Sequence, residues 1–404
     1  MTLFTNIGEL AGIAPEGLLR KQGAEMADAG ILHDAWLAVE DGRIADFGTG
    51  PAPEADETID ACGGMILPAF CDSHTHVVYA GSRDTEFLDK INGLDYEQIA
   101  ARGGGILNSS DLLNSTPEDE LFRQSMERVR EVMAKGTGSL EIKSGYGLNP
   151  EGEMKMLRVI RRIREGVPAQ VVSTFLGAHA VGRGYTRQSY VQAVIDMIPE
   201  AAGLADFVDV FCDEGFFTPD DTARILEAAA EHGLRGKIHA NELAVSGGVQ
   251  VGVRHNALSV DHLERTTDAE IEALRGTGTM PVMLPGTSFF LGIPYGRAKD
   301  YIRAGLGLAL ASDYNPGSSP SGDMRFVMAL GCIRMGLTPA EALNAVTING
   351  AYAMGVSAET GSITRGKRAD FILTEPGWTL TKLPYLHQSP FIRSVYLSGN
   401  ELFF

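Results

Sequence analysis

Short apolar runs alternate with longer stretches of helical periodicity through the middle of the chain. The runs at 171–176 and 207–211 predict buried strands, because apolar segments of this length are typical of parallel sheets covered on both faces. Between such runs, apolar residues recur at the spacing of one helix face. Proline-containing start signals precede two of these stretches, at 116–119 and 149–151. The pattern therefore predicts a repeated strand–helix unit.

The repeat indicates the fold class. About eight strand–helix units follow one another over roughly 250 residues, which is the number and size of an α/β fold of the (β/α)₈ TIM-like barrel type. The predicted strands lie at 65–69, 139–144, 171–176, 207–211, 237–239, 258–262, 280–284 and 308–313. A doubly wound parallel sheet is the alternative. No Gly-x-Gly-x-x-Gly motif follows the first predicted strand to support a dinucleotide site, because the glycines at 103–105 fall in a predicted loop.

The two ends of the chain have a different pattern, with short strands and turns. Residues 35–48 predict a β-hairpin with Asp41-Gly42 at its turn, and the segments 369–373 and 392–397 are also strand-like. Either β-rich end alone would bury too little apolar surface to be stable. We therefore expect a small β-sandwich domain built from both chain termini, residues 1–64 plus 356–404. The barrel catalytic domain then covers residues 65–355.

The composition narrows the class of partner. The chain has 404 residues, of which 44% are hydrophobic, and its formal net charge is −18. With this charge and no cluster of Lys or Arg, we expect neither nucleic acid nor an anionic membrane surface as a partner. No apolar run approaches the roughly 20 residues that span a bilayer. The N-terminal residues also lack the pattern of a signal peptide.

Cysteine usage indicates the compartment. Cys62, Cys71, Cys212 and Cys332 are scattered without the spacing of a metal site, which is typical of free thiols in a reducing cytoplasm. Cys71 lies three residues before His74, and we interpret it as a small core residue rather than a ligand. The sequence therefore predicts a cytoplasmic protein.

Histidines fall at the ends of several predicted strands. In a (β/α)₈ barrel the active site forms at the carboxyl ends of the strands. Five of the nine histidines and one aspartate lie at these ends: His74, His76, His179, His239, His262 and Asp313. His74 and His76 are two residues apart, so their side chains point to the same face of a strand. Three imidazoles with one carboxylate suit Zn²⁺ or Fe, and the pattern predicts a metal site at this rim.

Glu242 stands three residues after His239, close enough to reach the same centre. A metal at the rim lowers the pKa of a water toward neutrality. A glutamate at this position can take the proton of that water and pass it to a leaving nitrogen. In the alternative interpretation, Glu242 orients a ligand histidine. The chemistry predicted from these residues is metal-assisted hydrolysis of a C–N bond.

Longer motifs around these residues are similar to those of a known family. They are Asp72-Ser73-His74-Thr75-His76, Ala80-Gly81-Ser82-Arg83, Gly103-Gly104-Gly105-Ile106-Leu107, Glu141-Ile142-Lys143-Ser144-Gly145-Tyr146-Gly147, Phe175-Leu176-Gly177-Ala178-His179-Ala180, Lys237-Ile238-His239-Ala240-Asn241-Glu242, Ser259-Val260-Asp261-His262-Leu263 and Ser312-Asp313-Tyr314-Asn315-Pro316-Gly317-Ser318. Through them, residues 65–355 resemble the amidohydrolase superfamily of metal-dependent hydrolases, whose members combine such a barrel with a β-sandwich from both termini. The His-x-His motif is shared by the whole superfamily. The segments Lys-Ser-Gly-Tyr-Gly and Asp-Tyr-Asn-Pro-Gly-Ser are far more specific.

The resemblance implies a role for each site residue. Four residues would bind one metal ion per chain, either Zn or Fe: His74, His76, His239 and Asp313. Three would be catalytic, with the histidine orienting the water or the substrate carbonyl: Glu242, His262 and Asp313. Seven would contact the substrate: Arg83, Tyr146, His179, Glu242, Asn315, Gly317 and Ser318. Chemistry agrees independently for the arginine, because a carboxylate tail is held best by a fixed cation.

The implied reaction hydrolyses the cyclic amide C–N bond of 4-imidazolone-5-propanoate and yields N-formimidoyl-L-glutamate, a step of histidine degradation. The partner is thus a small anionic heterocyclic substrate, and the resemblance also implies a homodimer. Two alternatives stay open at this point. One is an aminohydrolase that releases ammonia from a heterocycle. The other is a non-catalytic barrel homologue, which would be expected to have lost a ligand, whereas none is missing here.

Three positions qualify the resemblance. Asn241 stands where the family more usually has an acid, which affects a contact around the metal ligands. Some members have Gln in place of Glu242, so this residue could bind substrate without being an obligatory base. Other superfamily members bridge two metals with a carbamylated lysine. Because the strand-end residues supply only one complete site, we predict a single metal and a structural role for Lys143.

Overall fold

The computed structural model describes residues 1–93 and 104–403, in which two eight-stranded sheets are packed with helices. In chain order the strands are β1 (Thr2–Leu10), β2 (Leu32–Glu40), β3 (Arg43–Thr49), β4 (Glu57–Asp60), β5 (Gly64–Pro68), β6 (Phe70–Asp72), β7 (Thr137–Lys143), β8 (Gln170–Ala178), β9 (Phe207–Cys212), β10 (Arg235–Ala240), β11 (Ser259–His262), β12 (Met280–Met283), β13 (Ala309–Leu310), β14 (Phe371–Pro376), β15 (Ile392–Leu397) and β16 (Asn400–Glu401). The helices are Asp84–Ile91, Ile106–Ser115, Glu118–Ala134, Pro150–Gly166, Arg187–Ala201, Pro219–Glu231, Gly248–Arg254, Asp268–Leu274, Pro285–Leu291, Ala298–Arg303, Met324–Met335, Pro339–Val346, Ile348–Ala353 and Lys382–Tyr385, with a short 3₁₀ helix at Gly23–Ala27.

One sheet is a parallel barrel. Its strands run from β6 to β13 in chain order, and every neighbouring pair is parallel. The segments that follow the first and last of these strands meet through a bridge between Thr75 and Tyr314. There the backbone N–H of His76 donates to the carbonyl of Tyr314 at 2.9 Å. The predicted (β/α)₈ barrel is confirmed, and the doubly wound alternative is wrong.

The other sheet is built from both ends of the chain. Its order is β16-β15-β14-β5-β1-β2-β3, with β4 paired to β1. The predicted hairpin between β2 and β3 is present, and Asp41 and Gly42 both adopt positive φ at its turn (49° and 75°). Three buried aromatic rings join the two ends, with centroid separations of 4.8 to 5.1 Å: Phe4, Phe371 and Tyr396. Because these rings pack together, the two terminal segments share one hydrophobic core.

The passage between the two sheets differs from the sequence prediction. The run 65–69, predicted as the strand that carries the first two histidines, lies mostly in β5 and pairs with β1 and β14. The first barrel strand is instead β6. The backbone N–H of Ala69 donates a hydrogen bond to the carbonyl of Asp370, next to β14. The backbone N–H of Phe70 donates to the carbonyl of Gly136, next to β7. Both strands are buried and apolar, so periodicity alone does not separate them.

The remaining general predictions can be compared briefly with the structure. The domain division into 1–64 plus 356–404 and 65–355 stays a prediction. Gly103, part of one motif above, lies outside the described residues.

The four cysteines are free thiols, and the thiol of Cys71 is buried in the core with no metal-binding cluster around it among the described residues. In the same part of the chain, no helix has the length and apolar character required to cross a bilayer.

Candidate metal centre and active site

The predicted site residues lie at the carboxyl ends of the barrel strands. His74 and His76 follow β6, and His179 directly follows β8. The other three predicted rim residues lie at the ends of β10, β11 and β13, or just beyond them: His239, His262 and Asp313. All six are brought to one end of the barrel. The rim position is therefore confirmed, whereas the individual roles inferred for these residues stay predictions.

Imidazole nitrogens converge at the centre of this rim. Nε2 of His76 lies 3.2 Å from Nε2 of His74 and 3.4 Å from Nε2 of His239. The Oδ1 atom of Asp313 lies 3.6 Å from Nε2 of His74 and 3.5 Å from Nε2 of His76. The three histidines form one group in which all donor atoms lie within 4.8 Å of one another, and His262 joins His74 and Asp313 in another. The spacing suits ligands around a single ion.

Two buried carboxylates fix which ring nitrogens face inward. Nδ1 of His74 lies 2.6 Å from Oδ2 of Asp261, and Nδ1 of His239 lies 3.0 Å from Oδ2 of Asp209. A carboxylate accepts the ring proton, so the inward Nε2 atoms carry lone pairs. Burial lowers the pKa of His74 and of His76 well below the usual value, and nearby cationic groups add to this effect.

The donor set therefore fits a cation. Neutral imidazoles with facing lone pairs repel one another unless a positive charge lies between them, and ligand histidines must be neutral to bind a metal. Because the carboxylate of Asp313 faces His74 and His76, it can add one oxygen ligand to the three nitrogen ligands. This chemistry is that of Zn²⁺ or Fe sites.

A fully buried charge cluster lies beneath these ligands. Nζ of Lys143 lies 2.9 Å from Glu141 and 2.8 Å from Asp209, and Nζ of Lys237 lies 2.7 Å from Glu141. Both lysines also lie within 4.0 Å of Asp261. Burial lowers the pKa of Lys143, but the carboxylates outweigh it and raise the pKa overall. Carbamylation needs a neutral amine, so these contacts support the structural role predicted for Lys143.

Glu242 and His262 face each other beside the donor set. Oε2 of Glu242 lies 3.6 Å from Nε2 of His262. Burial raises the pKa of Glu242 to about 7, although His262 opposes the shift. Asp213, which the sequence analysis did not single out, holds the loop by accepting hydrogen bonds from the backbone N–H groups of Glu242 and Leu243 at 2.8 and 2.9 Å. A carboxyl group that titrates near neutrality is suited to taking and returning a proton.

A cavity of about 430 Å³ opens above the donor set. Every predicted site residue except the fully buried His74 lines it. Arg83 donates from Nε to the hydroxyl of Ser109 at 2.8 Å, and its buried Nη2 has no hydrogen-bond partner among the described residues. A Cβ atom on Gly317 would lie 2.3 Å from Nη1 of Arg83, so only glycine permits this approach. The cavity thus contains an arginine ready to bind an anion.

The loop after β13 is held by its own side chains. The Asn315 amide donates to the carbonyl of Asp313 and to the hydroxyl of Ser318, and its oxygen accepts from the N–H groups of Gly317 and Ser318. Both amide hydrogens and the oxygen are therefore used within the loop. Asn315 lines the cavity, but its hydrogen bonds are made within the loop, so its main role is to shape the loop.

His179 and Tyr146 form another part of the cavity wall. Their rings lie 5.5 Å apart, and His179 stacks on His76 with an angle of 16° between the planes. Nδ1 of His179 lies 3.0 Å from the carbonyl of Gly145, so it must donate. Burial lowers the pKa of His179 to about 3, which leaves Nε2 as an acceptor. The wall therefore offers a hydrogen-bond acceptor and an aromatic face to a flat ring.

Some functional residues escaped the sequence analysis. Apolar and acidic residues that line the cavity belong to this group: Glu86, Ile106, Phe211, Phe216, Leu243 and Leu291. Nothing distinguishes the apolar ones from core residues in a single sequence. Asp209 did leave a signal, because it interrupts an otherwise apolar predicted strand, and Asp261 lies within a predicted strand directly before His262. A charge at such a position is rarely buried without a specific partner.

Comparison with known proteins adds independent information. A model of the amidohydrolase family matches residues 65–402. Imidazolonepropionase of Christiangramia forsetii is 53% identical over 405 residues, covering 98% of each chain. Imidazolonepropionase of Geobacillus kaustophilus is 42% identical over 379 residues, covering 90% of this chain and 88% of the relative.

Solved structures with the same architecture are more distant. Atrazine chlorohydrolase of Arthrobacter aurescens, solved with zinc, superposes with a TM-score of 0.73 at 14% identity, covering 100% of this chain and 95% of that chain. Guanine deaminase of C. acetobutylicum, solved with guanine in its active site, has a TM-score of 0.70 at 16% identity, covering 100% of each chain. At such identities the likeness shows the fold alone.

Proposed function

The chain belongs to the amidohydrolase family, and from that premise we propose that it hydrolyses 4-imidazolone-5-propanoate to N-formimidoyl-L-glutamate. The observation that carries the proposal is the content of one cavity, where the histidine–aspartate donor set and the unpartnered Nη2 of Arg83 both lie. A substrate with a cyclic amide and a carboxylate tail needs both features. The name shared by relatives at 53% and 42% identity supports the same reaction.

We propose that one metal ion is held by four side chains: His74, His76, His239 and Asp313. When bound, a Zn²⁺ or Fe ion would polarise the ring carbonyl and make water a better nucleophile at neutral pH. Oδ2 of Asp313 accepts a hydrogen bond of 2.5 Å from the hydroxyl of Thr287, which leaves Oδ1 directed at the imidazoles. In the proposal, Asp313 therefore binds the metal and, through this fixed orientation of its carboxylate, also acts at the reacting centre.

The chain's own groups move the protons. In the proposed reaction, Glu242 takes a proton from the attacking water as oxygen adds to the ring carbonyl carbon. When the C–N bond breaks, Glu242 returns that proton to the departing ring nitrogen, so that water is consumed and no proton is left over. His262, beside Glu242, donates a hydrogen bond to the carbonyl oxygen, on which negative charge develops.

The remaining contacts position the substrate. We propose that Arg83 binds the propionate carboxylate, that Tyr146 packs against the ring and that Nε2 of His179 accepts a hydrogen bond from a ring N–H. Gly317 and Ser318 line the same wall as the arginine. The proposal includes a cytoplasmic enzyme and a homodimer, both of which stay predictions. An aminohydrolase is less well supported, because releasing ammonia from a heterocycle gives no role to the Nη2 atom of Arg83, which has no hydrogen-bond partner among the described residues.

The direct test is incubation of the metal-loaded protein with freshly generated imidazolone propionate. We expect rapid formation of N-formimidoyl-L-glutamate, detected by mass spectrometry, and loss of this activity after chelation. Activity should return on addition of Zn²⁺ or Fe²⁺ to the chelated sample. Product at the spontaneous rate in the loaded protein would contradict the proposed substrate, and a panel of amino-heterocycles would then test the aminohydrolase alternative.

Replacement of Arg83 by glutamine should weaken substrate binding. The lost charge-assisted hydrogen bonds are worth about 1.5 to 3 kcal/mol, so we expect KM to rise about 10- to 100-fold with a smaller change in kcat. Arg183→Gln, which removes an exposed arginine paired with Asp111, is the matched control and should leave KM unchanged. An imidazolone without the propionate should be hydrolysed at the same rate by the wild type and Arg83→Gln. If the wild type hydrolysed this truncated substrate faster than Arg83→Gln, the contact between Arg83 and the carboxylate would be contradicted.

Glu242→Gln separates the base role from a simple substrate contact. If Glu242 transfers the proton, kcat should fall about 10²- to 10⁴-fold while KM and metal content stay close to the wild-type values. The exposed Glu227→Gln serves as the control and should have wild-type kinetics. If kcat is retained and only KM rises, Glu242 is a substrate contact and another group must carry the proton.

A further inference from the structure

Glu264 carries a buried carboxylate that the mechanism above does not use. It is 6% exposed, and neither Oε1 nor Oε2 has a hydrogen-bond partner among the described residues. Within the same part of the chain, its one ion-pair neighbour closer than 4.0 Å is His262, whose Nδ1 lies 3.5 Å from Oε2. A buried carboxylate without partners destabilises a fold, so its presence calls for a specific role.

The opposite ring nitrogen faces the catalytic glutamate. Nε2 of His262 lies 3.6 Å from Oε2 of Glu242, so the imidazole lies between two carboxylates, one on each nitrogen. Nδ1 of His262 also lacks a hydrogen-bond partner among the described residues. The unsatisfied ring nitrogen and the unsatisfied carboxylate thus face each other, and a shift of a few tenths of an ångström completes the hydrogen bond.

The backbone here is held in an unfavourable conformation. His262 and Leu263 both have positive φ, at 83° and 66°, which costs of order 1–3 kcal/mol for each non-glycine residue. The turn is fastened to the end of β10. The N–H of Leu263 donates to the carbonyl of Ala240 at 3.1 Å, and the side-chain amide of Asn241 donates to the carbonyl of Arg265 at 2.9 Å. These bonds also give Asn241 a structural role.

Glu264 does not belong to the cavity wall. The residues lining the cavity include His262 and Glu242 but not Glu264, whose side chain is 1% exposed. It therefore has no access to the substrate and can act only through the imidazole. A contact of this kind sets the direction in which the ring points.

We propose that Glu264 is a positioning residue for the reaction, which accepts the Nδ1–H of His262 and so holds the ring with its Nε2–H directed at Glu242 and the substrate carbonyl. The inference rests on the proposed function, because it assigns a task to His262 in that reaction. In the absence of the acceptor, the ring is free to turn, and Nε2–H no longer points at the carbonyl oxygen. The substrate would still bind, but the contact to the carbonyl oxygen would be lost in the transition state.

The test replaces Glu264 with leucine, which is similar in size but cannot accept a hydrogen bond. We expect kcat for imidazolone propionate to fall about 100-fold, while KM and metal content by mass spectrometry stay at the wild-type values. The melting temperature should be unchanged or higher, because an apolar side chain avoids the cost of burying a charge whose one ion-pair contact among the described residues is 3.5 Å long. Glu264→Gln keeps an acceptor oxygen and should recover kcat to within about tenfold of the wild type.

Glu270, on the same connection after β11, supplies a matched control. It is also buried, but its carboxylate accepts hydrogen bonds from the N–H and hydroxyl of Thr267 at the start of a helix. Glu270→Leu should therefore lower the melting temperature and leave kcat per folded molecule unchanged. A purely structural role for Glu264 would give this same pattern, which is the opposite of the one expected.

Each outcome decides between the proposals. Wild-type kcat in Glu264→Leu overturns the positioning role while leaving the proposed function intact. Absence of product from the wild-type enzyme itself overturns the proposed function instead. If Glu264→Leu does not fold, Glu264→Met provides a more flexible apolar replacement for the same measurement. Failure of both to fold would also contradict the proposal, because a side chain with no partner other than His262 would then be required for folding.

Discussion

The site depends on the burial of five charged side chains beneath the proposed metal ligands. Glu141, Lys143, Asp209, Lys237 and Asp261 are all inaccessible to solvent, and burying charges is costly unless they are paired. Three carboxylates share two ammonium groups, and in two of the carboxylates the Oδ2 atom that faces a lysine also faces Nδ1 of a histidine. The ion pairs therefore do more than neutralise charge, because they fix the tautomers that direct lone pairs at one point.

This arrangement explains how the short barrel strands can build a metal site. β6 has three residues and β13 has two, so hydrogen bonding along these strands alone holds the rim loosely. The bridge between Thr75 and Tyr314 and the bond from Asp313 N–H to the carbonyl of His74 join their extensions. Asp313 also has a positive φ of 54°, which turns the following loop toward Arg83.

Much of this structure was predictable from the sequence, for identifiable reasons. The (β/α)₈ architecture followed from the alternation of apolar runs and helical periodicity, and the metal rim followed from histidines at strand ends. The boundary between β5 and β6 was not predictable, because one uninterrupted apolar run contributes a strand to each of the two sheets. The role of Glu264 was equally hidden, because a glutamate after a strand normally indicates a solvated turn. Its burial depends on the backbone conformation of His262 and Leu263, which the residue types do not encode in any simple pattern.

The most direct test of the account is anomalous X-ray diffraction from crystals of the metal-loaded protein, recorded at the zinc and iron absorption edges. The account predicts one strong peak per chain, bounded by Nε2 of His74, His76 and His239 and by Oδ1 of Asp313. A peak elsewhere, or a second peak beside Lys143, would contradict the single-ion site. Absence of any peak at these residues in fully active crystals would refute the ligand assignment from which the proposed chemistry follows.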